Sequence, residues 1–132
     1  GGKVGAGSGQ PVDLRVTVRR IVDKAEQSFG RAKQAMGCGV WVSAANNLDI
    51  FLNTVRTQTF HPDAFEQFGL KISDKKIVVV KSTQHFYAGF APIAQSVLYV
   101  SAPGSINMNF SEIGFKKFTD PYWPKVPDPR ST

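Results

Sequence analysis

IVVVKSTQHFYAGFAPIAQSVLYV, residues 77–100, is the stretch that decides the fold class. Its opening residues, Ile77, Val78, Val79 and Val80, are all β-branched and apolar on both faces, which predicts a central strand covered on both sides. Ser82 or Thr83 then caps a helix carrying Phe86, Phe90 and Ile93 at helical spacing, with Pro92 kinking or shortening it. Residues 96–101 give the next strand, and Pro103-Gly104 turns the chain. A strand–helix–strand unit results, with a right-handed crossover.

Upstream, PVDLRVTVRRIV (residues 11–22) alternates apolar Val12, Leu14, Val16 and Val18 with polar Asp13, Arg15, Thr17 and Arg19. Period two over this length predicts a half-buried strand. Residues 23–37 are polar and mixed and read as a loop between strands, with a helical turn as the alternative. Val40-Trp41-Val42-Ser43 and Leu48-Asp49-Ile50-Phe51-Leu52 read as a hairpin whose second strand extends towards Thr59. Asn46 and Asn47 supply the turn because asparagine tolerates the left-handed backbone. His61-Pro62-Asp63 opens a helix over residues 64–68 that Gly69 ends. The fold class is therefore α/β or α+β, a mixed sheet with a few short helices in a single domain. Residues 1–10 read as a glycine-rich linker, 11–118 as the mixed α/β domain, and 119–132 as an extended proline-rich tail.

The 132 residues suffice for one domain with a real core, and 42% hydrophobic with 20% charged residues describes an ordinary globular chain. No apolar run approaches the roughly 18 residues of a membrane-spanning helix. There is no signal-peptide pattern; the first residues are glycine-rich and lack an initiator methionine, as in a fragment or a processed chain. The single cysteine, Cys38, forms no internal disulfide and suits a reducing, cytoplasmic setting. A net charge of +6 favours anionic partners in general. The basic residues are scattered, however, and no nucleic-acid motif accompanies Arg19-Arg20, Lys75-Lys76 or Lys116-Lys117. Neither nucleic acid nor membrane is an expected partner.

Candidate chemistry is sparse. The two histidines are His61 and His85, Cys38 is the single cysteine, and no spacing typical of a metal site exists, so no cofactor is expected within this chain. Ser82 and His85 lie three residues apart, yet neither an orienting acid nor an oxyanion donor is evident. Ser82 reads more readily as a helix cap, and Cys38, between two glycines, as structural. GGKVGAGSG lacks the spacing of a phosphate loop. Lys81, Ser82 and His85 nevertheless sit just past a predicted strand and at a predicted helix start. Ligands bind at such places in open α/β sheets, favoured by free amides and the helix dipole. The competing reading is a solvated lysine, a capping serine and a local histidine contact. Phe86 and Phe90 suit a core. Phe115, Phe118, Tyr122 and Trp123 suit either packing of the tail or cover for a neighbouring domain or subunit.

Three groups of residues resemble the C-terminal domain of the microcystinase C family. The first is the valine-rich strand with Lys81-Ser82, His85-Phe86, Phe90, Pro92-Ile93-Ala94 and Pro103-Gly104. The second is Arg56, Gln58, Asp63, Phe65, Gly69 and Leu70. The third is the opening Gly1-Gly2-Lys3 and the closing Pro121-Tyr122-Trp123-Pro124. Departures include Tyr87 where the family has arginine, and Lys125 where it often has aspartate. The resemblance implies a zinc-dependent amide hydrolase acting on linearised cyanotoxin peptides or on other substrates, with its zinc ligands in a larger N-terminal domain. This chain would then be an accessory domain, inactive alone, packed on the catalytic domain as its partner. Lys81, Ser82, His85, Phe86, Arg56 and Gln58 become candidates for facing a peptide substrate or the domain interface. A homo-oligomer is a further expected partner. The rival reading is a stand-alone module that binds an anionic ligand or a peptide.

Overall fold

A computed structural model describes residues 9–102 and 109–131. The chain divides into two compact units, one of Leu14–Val97 and one of Gly1–Asp13 with Leu98–Thr132.

The larger unit is built on a three-stranded antiparallel sheet in the order β1-β2-β3, comprising β1 (Thr17–Phe29), β2 (Ala32–Ala44) and β3 (Leu48–Asn53). The β1 strand starts later than the alternation predicts and runs through the segment read as a loop. Residues 25–29 pair with 32–37 in a hairpin that closes at Phe29↔Ala32. Gly30 takes φ +60° at the first position of the two-residue turn, the conformation a tight hairpin requires and a side chain resists. The apolar alternation fades here because the inward positions are Ala25 and Gln27, at 1% and 0% exposure. Register shifts after Val18 and around Ala25 also break the simple period.

The second hairpin turns at Asn46 and Asn47, both at φ 59°, as their side chains permit. Gly39 on β2 lies directly beneath an aromatic ring: an added Cβ would sit 2.5 Å from Phe68 Cζ and 3.1 Å from Ala25 Cβ. Phe68 can therefore seat on the sheet only over a residue without a side chain.

After β3 the chain returns across the β1–β2 hairpin to α1 (Asp63–Glu66), a single turn ended by Gly69 at φ +93°. Ala64 and Phe68 pack with Ala25 and Met36 into the main core, flanked by Val22, Trp41, Phe51 and Phe65. A second cluster joins Ile72, Phe86 and Phe90 with Phe65, Val80 and Val97. Its helix, α2 (Tyr87–Phe90), is one turn long and passes into a 3₁₀ turn at Ala91–Ile93 that accommodates Pro92.

Among the described residues, the ladders are those of β1 to β3. Residues 77–80 and 96–101 carry no strand pairing, so the predicted crossover unit is not formed within the described structure. A strand exists only where a neighbour accepts and donates its hydrogen bonds, and β-branched composition alone does not supply one. The sheet seen here is antiparallel, with short helices, consistent with a mixed α/β class.

In the smaller unit the described tail is turned rather than extended. Val126 N donates to Tyr122 O, and the Tyr122 hydroxyl donates to the carbonyls of Phe110 and Ile113. The rings of Phe115, Phe118 and Tyr122 contact one another, and Lys125 lies over Tyr122. Residues 1–8 of the glycine-rich opening and the Pro103-Gly104 turn lie outside the described residues.

Candidate functional site

Gln58 is the centre of the candidate site. Its side-chain Oε1 accepts hydrogen bonds from Ser82 Oγ at 3.1 Å, Thr83 N at 3.2 Å and Thr83 Oγ1 at 3.3 Å. One amide oxygen thus holds the turn that follows residues 77–80. The Gln58 backbone is held in turn by Gln27, whose Nε2 donates to Gln58 O at 2.7 Å and whose Oε1 accepts from Phe60 N at 2.7 Å. Gln27 is fully buried in β1, so this amide replaces water as the partner of two backbone groups that no ladder satisfies.

His85 stands on the same junction. Its ring meets the edge or face of Phe29 at 5.2 Å and of Phe60 at 5.8 Å, both near perpendicular. Phe29 and Phe60 contact each other at 4.5 Å. The hairpin end and the return loop therefore form an aromatic seat for an imidazole that is itself exposed.

The structure thus brings Gln58, Ser82 and His85 together around one turn. Lys81 is adjacent in sequence and exposed, with no ion pair among the described residues. Arg56 is exposed and takes no part in the junction. Phe86, at 7% exposure, belongs to the core with Ile72 and Phe90 and presents no surface to a ligand. The dipole expectation also changes: Ser82 caps no helix, because α2 begins at Tyr87 and spans one turn. So short a helix gathers little aligned dipole. Ser82 serves Gln58 instead.

A second polar junction sits beside the first. Asp63 accepts from Ser28 N at 3.0 Å and from Ser28 Oγ at 2.6 Å. It also pairs with Lys33 at 3.2 Å and lies 3.1 Å from His61 Nδ1. Burial works to raise the Asp63 carboxyl, but the Ser28 and Lys33 hydrogen bonds and the charge of His61 outweigh it, leaving the group below its ordinary value. On the sheet's far hairpin, Asp49 pairs with Lys75 and accepts from Trp41 Nε1 at 2.7 Å. There too burial opposes and the Lys75 and Trp41 hydrogen bonds, with Lys75 and Arg19 charge, prevail, so Asp49 is lowered.

Sequence reasoning missed Gln27, Ser28 and Lys33, because it took their segment for a loop. The available signal was a two-residue Gly30-Arg31 turn between runs of equal length. Among the described residues, no three His, Cys, Asp or Glu side chains converge as a metal site. The donor set among the described residues therefore does not fit a zinc ion. No described helix is long and apolar enough to cross a membrane.

Residues 1–117 match the family model described as MlrC C-terminus. Microcystinase C of Sphingomonas sp is 32% identical over 127 residues, covering 96% of this chain but 24% of that protein. The chain thus spans about a quarter of the length of that curated relative, and on both matches it belongs to the MlrC C-terminus family.

Proposed function

We propose that this chain is the C-terminal accessory part of a hydrolase resembling microcystinase C, in which a larger N-terminal part holds a zinc ion and cleaves peptide amides. The carrying observation is the family match over residues 1–117 together with coverage of only 24% of microcystinase C. A chain so placed acts by shaping or covering a reaction centre located elsewhere in the same protein. Its single cysteine suits a cytoplasmic setting.

The surface offered to that centre is the junction of Gln58, Ser82 and His85. Among the described residues the exposed His85 is held by ring contacts, which leave its nitrogens available to a peptide group. Gln58 fixes the turn that carries it. Lys81, exposed on the same turn, supplies a positive charge to a substrate carboxylate. In this role His85 positions substrate and binds no zinc. His85→Ala in the complete protein should lower turnover of a linear peptide about tenfold or more with zinc content unchanged. Unchanged kinetics would remove His85 from the account.

The rival reading, a self-sufficient module that binds a ligand at this edge, draws on the same exposed Lys81 and His85. Peptide binding by the isolated chain with the affinity of the complete protein would favour it.

A further inference from the structure

Residues 77–80 are held out between two anchors. On one side Lys75 is extended (φ −102°, ψ 132°) and is tied to Asp49 and to Asn47 Oδ1. On the other, Ser82 and Thr83 are tied to Gln58. Between them residues 77–80 contain no helix, turn or bend. Ile77 is 80% exposed and Val79 86%, while Val78 is 37% exposed and Val80 alone tucks against the core of Ile72, Phe86 and Phe90. No ladder hydrogen bond reaches this backbone among the described residues.

We propose that residues 77–80 are a preformed strand that pairs, backbone to backbone, with a sheet in the N-terminal remainder of the same protein. The inference rests on the accessory reading above and names the element that makes the contact. Three observations choose this occupant. The segment is apolar on both faces, as in a strand covered from both sides, so a lone peptide added along one edge would leave it wet. A second copy paired through the same four residues would likewise leave the open face of Ile77 and Val79 uncovered. The family relative has about three quarters of its length outside the matched region, which is material enough for a sheet and its covering layers. Lys76 and Lys81, exposed at either end, act as charged guards against indiscriminate pairing.

The test is amide hydrogen exchange on the complete protein and on this chain alone. The alternate amides that face the new neighbour, those of Val78 and Val80 or those of Ile77 and Val79, should exchange about 100-fold more slowly in the complete protein. Equal rates in both would overturn strand pairing. Protection of these amides in the isolated chain that grows with its concentration would assign the partner to a second copy, and would equally overturn the proposal. Val79→Pro removes one N–H at an exposed position and should abolish protection of its neighbours, while the isolated chain keeps its melting temperature. If the amides stay unprotected although removal of this chain abolishes hydrolysis, pairing fails and the accessory reading stands. If removal leaves hydrolysis intact, the accessory reading itself fails, whatever the amides show.

Discussion

Replacing Gln27 by leucine tests how the candidate site is held together. Gln27 is 0% exposed and makes two 2.7 Å hydrogen bonds, to the carbonyl of Gln58 and from the amide of Phe60. Leucine has similar bulk, so packing changes little and the loss is confined to the two partners. A buried group left without its partner costs about 1–3 kcal/mol. Gln58 and Phe60 are half-buried, so water recovers part of this, and the expected loss is about 2–4 kcal/mol. Against a total of about 5–15 kcal/mol for a domain, that is a large fraction. Urea unfolding should show a midpoint lowered by about 1–3 M at unchanged slope. Gln27→Glu should cost at least as much, because it keeps an acceptor for Phe60 N–H but sets a buried carboxylate against the Gln58 carbonyl, which loses its donor. A loss below about 0.5 kcal/mol for both variants would refute the reasoning, since it would mean that the return loop is held by something other than this amide.

Three further outcomes follow from the same contacts. Gly39→Ala forces a methyl against Phe68 and should destabilise the chain by about 1–3 kcal/mol in the same assay; a neutral result would show that Phe68 has room to move. Asp63 and Asp49 are lowered in the folded state, so the stability they add is complete at neutral pH and down to the unfolded value near 4. It is lost as pH falls further, through their folded values, and a pH series of melting temperatures should therefore drop below about pH 4, less steeply in Asp63→Asn than in the parent chain. Gln58→Leu should release Ser82 and Thr83 and raise amide exchange at Thr83 while leaving the β1–β2 hairpin amides protected.

How far the sequence carries the structure depends on which force acts at each position. The Asn46-Asn47 turn and the Gly69 stop were legible because a residue's own backbone preference decides them. The second half of β1 was not, because its inward positions are a small alanine and a buried amide, and neither writes an apolar alternation. Helix length was overestimated from Phe86, Phe90 and Ile93, which do lie on one short helical run but pass from an α turn to a 3₁₀ turn at Pro92. Residues 77–80 show a different kind of gap. Their composition describes a covered strand, and the described structure leaves Ile77 and Val79 exposed; the pattern records a neighbour rather than a local preference. For the site, Lys81, Ser82 and His85 are marked by their place after a predicted strand and by family resemblance, Gln58 by the resemblance alone, and the structure gathers Ser82, His85 and Gln58. Phe86 was marked with them and belongs to the core. Gln27, which holds Gln58 in place, left no trace, because a polar residue in a polar stretch looks solvated until its partners from 31 and 33 residues away arrive.

The most direct test is turnover of a linear peptide amide by the N-terminal remainder, by this chain and by the two mixed, with zinc content followed throughout. The account predicts that zinc stays with the remainder, that neither part is efficient alone, and that mixing restores hydrolysis. Hydrolysis by this chain unaided, or full activity of the remainder without it, would contradict the account.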